Sequence, residues 1–298
     1  MPVPFEYKSG DDNVFPVMGI LGTPVIDRSA GAMYIVADTF EGGVDVFRLH
    51  AIALSNGQEL VSPVQITFSA SLADGSMWTF DLKYQIQRAG LLEANGSIYV
   101  TFASNGDINP DISRGTILRF DAHTLQLLGG EITDKLHEHR KTPPPFYLST
   151  IWQSGYAPTA DGEGKVFFTT GNSDPVRPTY NQSFNRPDSV VKLSGDLSAL
   201  LDSFTPHDYF QLDQVDSDLG SGGTLLLPDQ PGPIPHLAVA GGKDGRAFLM
   251  NRDDLGGYNP SGPDKVLQVV TMGACWCGPA ISSDRTGRHA SLPVGGMA

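Results

Sequence analysis

A four-strand pattern that recurs four times along 298 residues predicts an all-β fold, a β-propeller of four-stranded antiparallel blades. Two further observations point the same way. The 34 Gly and 22 Pro are spread along the chain, as many short strands joined by many turns require. Helical spacing is scarce, and its best example is ITDKLHEHRK at 132–141.

The four sets run in order. The first is GILGTPVID, AMYIVAD, VFRLHAIAL and QELVSPVQI; the second is AGLLEAN, GSIYVTFAS, GTILRFDA and LQLLGGEI. The third is GYAPTAD, GKVFFTTG, DSVVKLSG and LSALLDSF; the fourth is SGGTLLLPD, PHLAVAGG, GRAFLMNR and KVLQVVTM. Tyr34, Tyr99, Phe168 and the run beginning at Leu237 hold equivalent places in the second strands. A unit that hides only part of its apolar face must stack on its neighbours, so a blade repeat implies blade-on-blade packing. CGPAI reads as the opening strand of a fifth blade, and SSDRTGRHASLPVGGMA carries no strand pattern. The expected organisation is a partial propeller over 1–278, belonging to a larger ring, and a non-propeller tail over 279–298. Exposed blade faces at both ends would favour a homo-oligomer.

Composition narrows the function classes. A formal charge of −13 and a pI of 4.8 argue against nucleic acid, because phosphate binding needs clustered Lys and Arg. Converging carboxylates on such an acidic, soluble chain favour cations. No apolar run approaches the length of a membrane span. The start MPVPFEYKSGDDN lacks the basic and apolar regions of a signal peptide, so the chain as written would stay where it is made. The two cysteines, Cys275 and Cys277, form a Cys-x-Cys pair that cannot complete a zinc site and reads as two small residues on a buried strand.

The phrases GTPVIDRSAGAMYIVAD, FRLHAIALSNGQEL, IWQSGYAPTADGEGKVFFTTGN and AGGKDGRAFLMNRDDLGG resemble the quinoprotein (PQQ-like) propellers, over residues 16–278. The resemblance implies a calcium ion near the ring axis, PQQ above a tryptophan, oxidation of an alcohol or sugar, and a periplasmic or secreted setting if the N-terminus is truncated. On that resemblance Trp152 matches the stacking Trp and Asn172 the calcium-ligating Asn. Asp208, Asp213 and Asp216 in TPHDYFQLDQVDSD compete for the base, Lys243 matches the basic quinone contact, and Glu41 is a looser match for the Glu ligand. The dehydrogenases have eight blades and an adjacent Cys pair, both lacking here.

The residues also carry bland readings. Asn172 in a Gly-Asn pair suits a turn, Trp152 an inter-blade core, Lys243 a hairpin tip and the DQVDSD acids a solvated loop. Asp107, Asn109 and Asp111 alternate like the first ligands of a calcium loop, although Ile112 stands where that loop needs Gly and Leu118 where it needs Glu. His137 and His139 form an HxH pair without the Asp and third His of a metallohydrolase. Three functions stay open: a PQQ- and calcium-dependent dehydrogenase, a calcium-dependent lactonase-type hydrolase in which the ion polarises a lactone carbonyl, and a non-catalytic propeller binding a protein or small molecule.

Overall fold

The computed structural model describes residues 1–8, 16–106, 113–137 and 148–271, together with the backbone of strands Ile281–Ser283 and His289–Ser291. The chain forms a β-propeller of four-stranded antiparallel blades, each built from one of the four sets of strands in order. The first blade pairs Val25–Asp27, Ala32–Glu41, Val44–Ala53 and Val64–Gln65. The second pairs Leu92–Ala94, Ser97–Ser104, Thr116–Asp121 and Leu127–Ile132. The third pairs Thr159–Ala160, Val166–Thr169, Val190–Leu193 and Leu200–Thr205. The fourth pairs Thr224–Leu226, Leu237–Gly241, Arg246–Asn251 and Gln268–Thr271. First strands of successive blades lie against one another, as strands lining a common axis do.

The core is three seams between neighbouring blades. Tyr34, Phe47 and Leu49 of the first blade meet Val100, Phe102 and Leu118 of the second, with Phe47 and Phe102 edge to face at 5.3 Å. Tyr99 and Ile117 meet Phe168 and Val191 across the next seam, and Val190 and Phe204 meet Ala238 and Phe248 across the last. Both faces of an inner blade are therefore buried, which is why Ser97–Ser104 and Val166–Thr169 are buried at every position and do not alternate.

The equivalent tyrosines do more than fill space. Tyr34 Oη donates to the Ala122 carbonyl (3.0 Å) and Tyr99 Oη to that of Gly195 (2.6 Å), each reaching the turn between the third and fourth strands of the next blade. Phe168 has no hydroxyl, and there Lys192 Nζ reaches the corresponding turn through the Arg252 carbonyl (2.7 Å). Tyr99→Phe is expected to lose about 0.5–1.5 kcal/mol in urea unfolding with no change in the m-value.

Several elements depart from the sequence reading. Residues 132–137 of ITDKLHEHRK contain no helix: Ile132 ends the second blade and the chain continues extended. The single α-helix among the described residues is Tyr209–Val215, whose last three residues are the start of the DQVDSD stretch read as a loop. Its spacing of Tyr209, Leu212 and Asp213 buries one face. The tail is not free of strands, since Ile281–Ser283 pairs antiparallel with His289–Ser291. A hairpin, Ser69–Ser71 with Met77–Thr79, carries Trp78 into the first seam, and Gly257–Tyr258 adds a parallel strand to the edge of the third blade. Apolar side chains stay exposed at Ile26 in the first blade and at Val269 and Val270 in the fourth. No helix of the described residues is long and apolar enough to cross a membrane.

Candidate functional site

Alternating strand direction puts two kinds of connection at the same end of every blade: those from second to third strands, and those leading to the next blade. Trp152, Asn172, Asp208, Asp213, Asp216, Lys243 and Glu41 all lie on or beside such connections. Topology thus gathers them at one end, and local bonding decides which of them meet.

Asn172 follows the strand Val166–Thr169 at the start of a long connection stitched to other segments. Gly171 N–H donates to the Thr150 carbonyl (2.8 Å), Ser149 N–H to the Asn172 carbonyl (2.9 Å) and Asp188 N–H to the Gly171 carbonyl (3.0 Å). The Gly-Asn turn expected here is not formed, since neither residue has a positive φ and their main chain bonds to other segments instead, and it is this long connection that presents the side chain. Asn172 Nδ2 donates to Asp216 Oδ1 at 3.2 Å. Lys243 Nζ donates to the same oxygen at 2.8 Å and contacts Asp218 Oδ1 at 2.6 Å. Three connections of two blades converge on one carboxylate. Asp216 reaches this position because it ends the helix in the left-handed conformation (φ 52°, ψ 42°), a conformation short polar residues tolerate.

Beneath lies a buried acidic layer. Asp213 Oδ1 accepts from Ser173 N–H (2.6 Å) and Asp188 Oδ1 from Leu219 N–H (2.8 Å). Their other oxygens, Asp188 Oδ2 and Asp213 Oδ2, are sealed from water with no donor from a third residue, and the two carboxyl groups bond to each other through a shared proton. Burial first, and then the charges of Asp213 and Asp218, push the Asp188 carboxyl well above its ordinary range. Burial, with a smaller push from Asp218, takes Asp213 to about 8. Asp218 is raised mainly by burial, against the opposing charge of Lys243. Burial works against the Lys243 ammonium, but Asp218 and Asp216 outweigh it and the pKa rises. The solvated-loop reading of DQVDSD thus fails for Asp213 and Asp218, which are buried, and holds for Asp216, which is half exposed. Strained backbone gathers here too, at Ser149 (φ 35°), Gln153 (φ 36°) and Asp188 (φ 47°).

Raised carboxyl values fix a sign. The folded state holds protons that the unfolded chain releases near pH 4, so this contribution is complete below pH 4 and disappears as pH rises through about 8. Glu41 and Asp196, both lowered to about 2, act in the opposite sense, but only below about pH 4.5. Unfolding free energy is expected to fall steadily between pH 5 and 8, and Asp213→Asn should flatten that slope. An unchanged slope in the variant would remove the buried acid layer from the explanation.

The remaining candidates separate from the group. Asp208 is held by Arg246 (2.9 Å), whose guanidinium also pairs with Asp244 and lies over the Phe248 ring. Glu41 sits at the tip of the first blade's central hairpin, clasped by Arg48 at 2.8 and 2.7 Å and by Thr39, and bonds to none of Asn172, Asp216 or Lys243. His137 pairs with Asp74 (2.7 Å). Asp107, Asn109, Asp111, His139, Cys275 and Cys277 lie outside the described residues. Sequence reasoning missed Asp188 and Asp218. The second had a signal, standing two residues beyond Asp216 in a run of glycines; the first, an Asp after Pro187 leading into a strand, had none.

Calcium and PQQ can be tested against these donors. The group offers hard oxygens from Asp216, Asp218 and Asn172, the chemistry calcium prefers. Gly171 keeps a cradle open: a Cβ there would stand 3.2 Å from Asp218 Oδ2 and 3.3 Å from Trp152 Cδ1. Trp152, half-buried beside that cradle, supplies an aromatic wall. The donor chemistry therefore fits a calcium ion. Among the described residues no three His, Cys, Asp or Glu side chains are grouped to hold a metal, so main-chain carbonyls, water or a bound ligand would complete the shell.

No protein-family model matches the chain, and no curated protein matches it. Solved structures do. The chain is similar to a europium-containing methanol dehydrogenase, with a TM-score of 0.53 at 11% identity over 91% of this chain and 44% of that one. It is similar also to a quinohemoprotein alcohol dehydrogenase from Pseudomonas putida, with a TM-score of 0.50 at 16% identity over 96% and 46%. A quinohemoprotein alcohol dehydrogenase from Comamonas testosteroni gives 0.46 at 14% identity over 92% and 46%. The likeness establishes the fold, a β-propeller like that of the quinoprotein dehydrogenases. The chain spans a little under half the length of these structures.

Proposed function

We propose that the chain forms the part of a quinoprotein-type site in which Asn172, Asp216, Asp218 and Lys243 bind a calcium ion and a polar ligand beside Trp152, for the oxidation of an alcohol or sugar. The observation that supports this reading most is the convergence of Asn172 and Lys243, from different blades, on Asp216 Oδ1. Asp216 and Asp218 would supply charged ligands, and Asn172 a neutral one. PQQ, when bound, supplies the electron-accepting carbonyl chemistry. Asp216, half exposed at the rim, is the group placed to take the proton of a substrate hydroxyl, with Asp208 committed instead to Arg246. Lys243 orients Asp216 and offers an ammonium to an oxyanion. Trp152 limits the ligand to a flat or small shape. This reading carries a periplasmic or secreted setting.

The test is reduction of a dye by a primary alcohol. Activity is expected only with both calcium and PQQ, with a loss of at least a hundredfold in Asn172→Ala. Turnover that ignores either addition, or an Asn172→Ala variant as active as the wild type, would refute the assignment. A second reading, a ligand-binding propeller without turnover, draws support from Lys243, which already pairs with both Asp216 and Asp218; it requires a ligand bound without any oxidation in the same assay.

A further inference from the structure

Between the second and third blades, away from the Asn172 group, a cleft of about 150 Å³ opens along the seam. Ile117, Phe168, Val191 and Leu193 supply apolar walls, and Arg186 and Lys135 lie on the same lining. Arg186 is 7% exposed, yet its side chain has no hydrogen bond or ion pair among the described residues, and its Nε is sealed from water without a partner. A buried guanidinium normally sits against a carboxylate, because an uncompensated buried charge costs several kcal/mol. Burial accordingly lowers its pKa. The one acid on the lining, Glu131, is taken by Lys135 at 2.8 Å.

The main chain that carries Arg186 is held in place. Thr170 Oγ1 donates to the Arg186 carbonyl (2.6 Å), and Asn181 Oδ1 caps the preceding loop by accepting from Ser183 N–H (2.9 Å) and Phe184 N–H (3.1 Å). Lys135 N–H closes the opposite wall on the Phe184 carbonyl (2.6 Å). A buried cation without a counter-ion, on a cleft that has both polar and apolar walls, has the chemistry of an anion receptor. The lining carries Arg186 and Lys135 against Glu131, so it is locally positive on a chain whose formal net charge is −13.

We propose that this cleft is a binding site for a small organic monocarboxylate, its head on Arg186 and its apolar body along Ile117, Phe168 and Val191. A volume of about 150 Å³ matches a benzene-sized body, as apolar cavities of that size accept benzene. The site is independent of the function proposed for the Asn172 group.

The experiment is a calorimetric titration of the full chain with hexanoate, hexanol and inorganic phosphate. Saturable hexanoate binding is expected, with hexanol and phosphate each at least tenfold weaker. Arg186→Met should weaken hexanoate at least tenfold without lowering Tm in ligand-free buffer, since it removes an unpaired buried charge. Should that variant not fold, Ser198→Phe, an exposed rim position, must abolish the hexanoate signal with Arg186 intact. Hexanol binding as tightly as hexanoate, phosphate alone binding as tightly, unchanged affinity in Arg186→Met or Ser198→Phe, or no saturable hexanoate binding would each overturn the proposal.

Discussion

Lys8→Ala is expected to cost about 3–5 kcal/mol at pH 7, a large effect for one residue near the chain start. Lys8 Nζ is 1% exposed and lies between Asp38 (3.1 Å) and Asp45 of the first blade's central hairpin. It donates to the carbonyls of Leu82 (2.9 Å) and Gln85 (3.4 Å) and sits 4.5 Å from the Phe47 ring centroid. One ammonium thus joins the N-terminal segment, the first blade and the connection to the second. Its removal leaves two buried carboxylates with no cation, and Asp38, whose pKa burial and Asp45 already take to about 8, must hold its proton more tightly still. The loss should therefore grow from pH 7 to pH 9, as the pH passes through the Asp38 carboxyl that Lys8 holds down and that the variant raises further. Lys8→Met, which keeps the stem against Phe47, should be nearly as damaging at pH 7. Urea unfolding at the two pH values checks this; equal losses at both would show that packing, not charge, is what Lys8 supplies.

Gly220→Val is expected to lose at least 3 kcal/mol and to dismantle the candidate site. A Cβ at Gly220 would stand 2.2 Å from Gly171 N and 2.4 Å from the carbonyl carbon of Thr170, both main-chain atoms of the third blade. The φ of Gly220 is unremarkable, so the constraint is close approach and not backbone freedom. To make room, residues 218–222 must lift away. That breaks Gln153 N–H to the Gly220 carbonyl (2.9 Å), Thr169 Oγ1 to the Gly222 carbonyl (2.6 Å) and Leu219 N–H to Asp188 Oδ1 (2.8 Å). Asp218 would move with the segment and leave Lys243. Calorimetric melting and cation binding should both report the change, whereas Gly162→Val, where a Cβ meets nothing within 4 Å, should be close to neutral in both. Comparable losses from the two substitutions would contradict the close-approach argument.

The blades were readable because every one repeats the same order of strands and turns; the register of Val166 on Leu193 follows from runs visible in VFFT and VVKL. The helix Tyr209–Val215 was not, because its seven residues include one Asp and two Gln and are too few to show a clear periodicity. At the site, Asn172, Asp216 and Lys243 could be named in advance because each follows a strand at the same end of the ring. Glu41 shares that position, but Arg48, seven residues on in the partner strand of the hairpin, holds its carboxylate, and only the folded hairpin reveals that. Asp188 and Arg186 escaped notice because burial, not residue type, makes them unusual.

The most direct test of the central claim is a calorimetric titration of calcium into EDTA-stripped protein, repeated with PQQ present and with Asn172→Ala. The account predicts stoichiometric calcium binding that PQQ strengthens and that Asn172→Ala weakens by at least tenfold. No calcium binding in either condition would contradict it, and would leave Asp216, Asp218 and Lys243 as an ion-pair network that fixes the seam between two blades.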